Sequence, residues 1–304
     1  RTPPERSSAA SDVYKRQVYI KGLQRVVEAP DKIMGIPLDI IDGLDSNNTG
    51  IVYLSESESR FHFKHPNKSR EVMHASKVSG DDQAFSWNEA TAMNISFYQN
   101  KISIFGISER DFVSPVADNA MFFYQYKLVG TFQEDGLEIN KIKVKPKRPN
   151  DPAFRGYIYI IDDLWRIHST ELYLTRKAGI EFLDSLYFLQ TFLPIEDTWM
   201  LYSQTFQLDF SILSIKGEGY FIGIYKNYDL NPGFDKKFFG NEVMKIEVGA
   251  NEKDSTFWEA NRPIPLTDEE EVDYQQKDSL QELRKSKEYL DSLDKKFNKL
   301  EPIE

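Results

Sequence analysis

Trp199-Met200-Leu201-Tyr202-Ser203-Gln204-Thr205-Phe206-Gln207-Leu208-Asp209-Phe210-Ser211-Ile212 is the stretch whose reading decides the fold. Met200, Tyr202, Phe206, Leu208, Phe210 and Ile212 share one parity, and Ser203, Thr205, Gln207, Asp209 and Ser211 share the other. That is the period of a strand with one face against apolar material. A strand divided in this way belongs to an antiparallel sheet, since parallel sheets are covered on both faces.

Working outward, segments 122–132, 137–144, 156–161, 165–174, 182–192, 199–212 and 219–228 read as seven consecutive strands. Their joints are short and turn-like, as at Glu134-Asp135-Gly136 and Lys216-Gly217. A parallel crossover needs a dozen or more residues, so these neighbours must pair antiparallel in a meander. Upstream, 18–27 and 51–63 alternate as strands, with Glu56, Glu58 and Arg60 expected on a solvated side. Ser86-Trp87-Asn88-Glu89 has capping-box spacing and is followed by Ala90, Met93 and Phe97, which predicts a helix over 87–99. Ser114-Pro115 marks a second, short helix start.

Downstream, Arg262-Pro263-Ile264-Pro265-Leu266 reads as an extended hinge, and Thr267 to Glu270 as another capping box opening a helix. Leu280, Leu283, Leu290, Leu293, Phe297 and Leu300 form an apolar stripe along this acidic tail, which is expected to be exposed. Three segments result: 1–17, 18–250 and 251–304. The first contains Ser11-Asp12-Val13-Tyr14-Lys15-Arg16-Gln17, which resembles a translated sequencing-adapter remnant and is expected to lie outside the fold.

The chain has 304 residues, no cysteine, and a net charge of −10. Disulfides and thiol nucleophiles are excluded, and a nucleic-acid partner is disfavoured because phosphate neutralisation needs a basic footprint. Lys141, Lys143, Lys145, Lys147 and Arg148 form a local basic strip with no aromatic residue interleaved. It reads as a strand edge protected by lysines, with contact to anionic lipid headgroups as the alternative.

His168-Ser169-Thr170-Glu171 has the His-x-x-Glu spacing of zinc carboxypeptidases, but residues three apart on a strand point to opposite faces, so one ion would not reach both. His62 and His65 are three apart in the same way. Gly217, Gly219 and Gly223 miss the dinucleotide pattern, and Asp162 and Asp163 sit in a turn where aspartate is ordinary. No catalytic residue, metal ligand or cofactor is assigned. What remains is apolar surface: Tyr124, Tyr126, Leu128, Met200, Tyr202, Phe206, Leu208 and Phe210 could line a lipid-sized cavity. The alternative is an ordinary core packed on the helix at 87–99.

Several blocks in the same order carry a resemblance: Val18-Tyr19-Ile20-Lys21-Gly22, Ser114-Pro115 with Tyr124-Gln125-Tyr126-Lys127-Leu128, Lys141 to Lys147, Gly156 to Ile160 with Trp165-Arg166-Ile167, and Arg262 to Thr267 with Lys277-Asp278-Ser279. Together they resemble an envelope family of Gram-negative bacteria known as carboxypeptidase-regulatory-like domain-containing proteins. The resemblance implies a regulatory-like β-sandwich before this region and an outer-membrane β-barrel after it, with no peptidase activity. The strand pattern is also similar to periplasmic lipoprotein-carrier domains, which implies a curved antiparallel half-barrel wrapped around helices. The expected protein is therefore mainly β with a C-terminal helical tail, a non-enzymatic module on the periplasmic face of the outer membrane, binding a lipid, an acyl chain or a hydrophobic segment. A protein-interaction scaffold with a filled core is the rival, and a hydrolase is the third class.

Overall fold

Alternation along the chain turns into one very wide sheet because nearly every strand connection is too short for anything but a hairpin. The computed structural model describes residues 13–33, 35–37, 43–80, 87–104, 106–235 and 237–285. In chain order these form β1 (Val13–Glu28), β2 (Lys32–Ile33), β3 (Ile36–Pro37), β4 (Gly50–Lys64), β5 (Lys68–Gly80), β6 (Lys101–Ile102), β7 (Phe112–Val113) and the helical turn α1 (Ala120–Phe123). There follow β8 (Tyr124–Glu134), β9 (Leu137–Pro146), β10 (Arg155–Ile161), β11 (Arg166–Thr175), β12 (Leu183–Ile195), β13 (Thr198–Ile212), β14 (Ile215–Asp229) and β15 (Met244–Ile246). Helices α2 (Ser255–Asn261) and α3 (Asp268–Lys285) end the described chain.

Eleven strands make the main sheet, in the order β15-β5-β4-β1-β14-β13-β12-β11-β10-β9-β8. The sheet is curved and antiparallel throughout, apart from the parallel pair β15/β5. The meander from β8 to β14 follows the expected seven strands closely, and it joins the N-terminal hairpin through β14 and β1. The pair β2 and β3 and the pair β6 and β7 form separate two-stranded ribbons.

Four expectations need correction. Val13–Gln17, expected outside the fold, open β1, paired to β4 on one side from Val13 onward and to β14 on the other from Lys15. Tyr14 and Arg16 are buried there. The hairpin β4/β5 extends the sheet where only one strand was expected. The segment 87–99 is a series of turns, and the structure shows no helix in it; Ser86 lies outside the described residues. At 114–123 only α1 is helical, and Phe122 belongs to it, so the next strand begins at Tyr124.

The two faces of the sheet differ in cover. On the inner face the main core gathers Val18, Phe61, Leu172, Phe188, Phe206 and Phe221 against residues of 87–120, including Trp87, Met93, Phe97 and Phe112. On the outer face, α2 and α3 cover the β5-β4-β1-β14 end, with Trp258 against Tyr19 and Ala75, and Tyr274 against Leu23, Ile51 and Leu54. The tail expected to be exposed is therefore docked as far as it is described. Its inner face is polar: Glu270, Asp273 and Tyr274 are buried. The expected apolar stripe from Leu280 to Leu300 lies beyond the side chains that are described. No helix among the described residues is long and apolar enough to cross a membrane.

Candidate functional site

The inner face is the place where a curved sheet would hold a ligand, and its own chain occupies it. One transverse rung of that face runs through Thr170, Gln190, Gln204, Gly223, Ile20 and Ser57, each the partner of the next across neighbouring strands. Its polar side chains reach the carbonyls of the segment above. Gln190 Nε2 donates to Ile95 O at 2.9 Å, Ser57 Oγ to Asn88 O at 2.6 Å, and Gln204 Nε2 to Met93 O. Glu71 accepts from the amides of Ala90 and Thr91, both at 3.0 Å.

These bonds explain why apolar residues at helical spacing do not make a helix. Buried backbone groups must be paired, and here the sheet offers partners that a helix would have taken from itself. Side chains of the segment then fill the space: the Trp87 ring lies 4.9 Å from Phe206 and 5.3 Å from Phe221, and Phe97 lies 5.1 Å from Phe154. Gly223 leaves room for this, since a Cβ there would stand 2.9 Å from the Tyr225 hydroxyl.

Of the eight residues expected to line a cavity, Tyr124, Met200, Phe206 and Leu208 are buried in this packed core, and Tyr126 and Phe210 border it. Tyr124 donates to Val113 O and accepts from the Phe154 amide; Tyr126 donates to Pro115 O at 2.7 Å. Burial pushes the Tyr126 phenol up to about 12. Leu128 and Tyr202 are corrections, being 59% and 45% exposed. Tyr202 is the extra residue of a bulge, since Ser203 pairs with Thr191 but Leu201 with Phe192, and an extra residue reverses which face follows. Leu128 lies on edge strand β8, beyond the part that Tyr124 and Tyr126 anchor.

A cavity of about 70 Å³ remains beside the segment, lined by Tyr14, Arg16, Asn94, Tyr98, Trp199 and Leu201 among others. It has room for about two waters, against roughly 300 Å³ or more for a drug-sized ligand. Arg16 reaches Asn94 Oδ1 at 3.2 Å and the Tyr228 hydroxyl at 3.1 Å, with its guanidinium 4.1 Å from the Tyr225 ring centre.

On the outer face, charges that were expected in solvent are buried in pairs. Glu56 is fully buried, takes two bonds from Arg262 at 2.6 and 2.7 Å, and accepts from Tyr19 at 2.6 Å. Beside it Lys21 pairs with Glu270 at 3.0 Å. Burial raises the Glu270 carboxyl, but bonds from Tyr220, the Thr267 amide and Lys21 outweigh it and hold the group below its ordinary value. Each charge here is spent on a neighbour, so this cluster fixes α3 and its linker to the sheet.

His168 and Glu171 do not converge. The His168 ring approaches Glu134 at 4.0 Å and Trp199 at 6.0 Å between ring centres, whereas Glu171 accepts from Tyr159 at 2.9 Å. His62 is buried against Phe234 and Phe238, with Nδ1 3.1 Å from Arg70 O, and burial lowers its pKa. Among the described residues no group of three or more His, Asp or Glu side chains could hold a metal ion.

A match over residues 5–228, reaching the last strand of the meander, decides the family. The chain belongs to DUF5686, a family of unknown function. None of the curated proteins matches it. Three solved structures are similar to this DUF5686 chain. A DUF1329 family protein from Desulfovibrio piger shares 12% identity over 76% of this chain and 90% of its own, with a TM-score of 0.28. A LolA superfamily protein from Nitrosomonas europaea shares 11% over 76% and 91%, at 0.26. A domain from Vibrio parahaemolyticus named for outer membrane lipoprotein sorting shares 11% over 78% and 92%, at 0.30.

Proposed function

We propose that this DUF5686 domain is a non-enzymatic module of the Gram-negative cell envelope that acts as an interaction scaffold, through its surfaces, around a trough filled by its own chain. The observation that carries the reading is the burial of Trp87, Met93, Ile95 and Phe97 on the inner face, all at 9% exposure or less. An envelope location draws on the resemblance in blocks such as Lys141 to Lys147 and Arg262 to Thr267 to carboxypeptidase-regulatory-like domain-containing proteins. The same resemblance supports an outer-membrane β-barrel as the element that this module serves. Mass spectrometry of solvent extracts from the purified chain tests the filled trough, together with titration of a fluorescent fatty acid. No stoichiometric lipid and no saturable uptake are expected; one acyl chain per protein would sink the scaffold reading.

One observation favours a second reading, in which an acyl chain or hydrophobic segment takes the place of 87–104. Residues 88–95 of that segment hang chiefly from side chains of the sheet, with one helical-type bond of their own, Met93 N to Glu89 O at 3.2 Å, so this part can lift while Lys101 and Ile102 stay paired with β7. Saturable fatty-acid uptake that strengthens in Gln204→Leu would support this reading, and uptake equal in both chains would count against displacement as its route.

A further inference from the structure

The lysines of 141–147 were expected to guard a sheet edge, and the strand order removes that explanation. Lys141, Lys143 and Lys145 lie on β9, which is paired on one side by β8 and on the other by β10. Edge protection concerns the outermost strand, where only Lys127 stands among these cations. One outer rung runs Lys127, Lys143, Tyr157, Glu171, Leu189, Thr205, Ile222, Lys21 and Glu56. The strip therefore shares a face with the docked α3, at the far end of the sheet from it.

Two lysines directly opposite, Lys127 and Lys143, repel each other. Among the described residues, none of Lys127, Lys141, Lys143 and Lys145 makes an ion pair within 4 Å. Lys141 Nζ lies 4.4 Å from the Tyr157 ring centre and 5.0 Å from that of Tyr159, whose hydroxyl it also hydrogen-bonds, with Glu171 beyond that hydroxyl. On the adjoining edge strand Val129, at the bulge, and Phe132, opposite Ile139 on the lysine face, are 51% and 40% exposed, whereas Leu128, opposite Ile142, belongs to the other face. At the other end of the same hairpin, Met121 and Phe122 are 67% and 77% exposed beside Lys147.

From this juxtaposition we propose that the outer face of the β8–β9 hairpin is a docking surface for an anionic lipid bilayer, with Lys127, Lys141, Lys143 and Lys145 against phosphate headgroups and Val129 and Phe132 entering the headgroup boundary. Charge complementarity selects the occupant. In a chain of net charge −10, acidic α3 lies at one end of the sheet and unpaired cations at the other, so a negative surface attracts one end and repels the other. The apolar fringe selects a bilayer over a polyanion in solution, which would bind the lysines and leave Val129 and Phe132 in water. This holds whether or not the trough opens.

Co-sedimentation of the full chain with phosphatidylglycerol/phosphatidylcholine vesicles, against pure phosphatidylcholine vesicles, tests it. Binding to the anionic vesicles alone is expected, weakening as salt rises. Lys141→Gln/Lys143→Gln/Lys145→Gln should lower the partition on the order of 100-fold, at roughly fivefold per lysine, with an unchanged circular dichroism spectrum. Val129→Ser/Phe132→Ser should lower it as well. Equal binding to both vesicle types, or no loss in the lysine variant, would overturn the proposal. So would binding of a single-stranded oligonucleotide that displaces the vesicles while the serine variant behaves as the parent does.

Discussion

Lys21 Nζ lies 3.0 Å from Glu270 Oε2, with both side chains almost completely removed from water between β1 and the first turn of α3. The same carboxylate closes a capping box, accepting from the Thr267 amide at 2.9 Å while Thr267 Oγ1 accepts from the Glu270 amide at 3.3 Å. One residue thus starts the helix and fastens it to the sheet. Breaking such a pair from one side leaves an uncompensated buried charge, which costs about 3–5 kcal/mol. Lys21→Met is expected to lose that much in urea denaturation, and Lys21→Met/Glu270→Met to regain a substantial part of it.

Acid should weaken the same contact in a defined direction. The ordinary glutamate value is about 4.3 and the folded Glu270 carboxyl lies below it, so the group contributes stability above the ordinary value and loses it as pH falls through the lower folded one. Thermal melts of the parent and Glu270→Gln should differ most at neutral pH and converge on acidification. A gap that stays constant between neutral and strongly acid pH would contradict the assignment.

The bulge in β13 predicts unequal costs for two aromatic residues of the same expected face. Phe206 is fully buried and Tyr202 is 45% exposed. Phe206→Ala should cost about 3–5 kcal/mol, whereas Tyr202→Ala should stay within roughly 0.5 kcal/mol. Equal losses in chemical denaturation would restore strict alternation along the strand.

Gln204→Leu removes the donor to Met93 O and leaves a buried carbonyl without it. The expected cost is about 1–3 kcal/mol. Hydrogen exchange should quicken locally over 88–97 while the amides of β12 and β13 keep their protection. Uniform quickening would mean that the segment and the sheet open as one unit.

The meander was legible because its turns are short and β11 to β14 alternate over most of their length, the Tyr202 bulge apart. Thr267 to Glu270 was legible because a capping box is local chemistry. The strand β5 was not, since its inward residues include Glu71, whose carboxylate binds amides of the segment above, and a polar inward position breaks the apolar rhythm. The helix expected at 87–99 failed for a long-range reason: Gln190 and Gln204, about a hundred residues away in sequence, satisfy its carbonyls. Spacing told which of its residues are buried, but not the backbone that carries them. Glu56 was assigned to solvent because its partner, Arg262, arrives from the far end of the chain. The lysines of β9 were legible as a strip, and only strand order shows that they do not lie at the edge.

Residues 87–104 occupy the inner face of the sheet. Nuclear Overhauser contacts between the Trp87 indole and the rings of Phe206 and Phe221 test it most directly, since the ring centres lie 4.9 and 5.3 Å apart. Strong cross-peaks to both rings are predicted in the protein free of added lipid. Their absence, together with ready quenching of Trp87 by a solute in water, would mean an open trough and contradict the account.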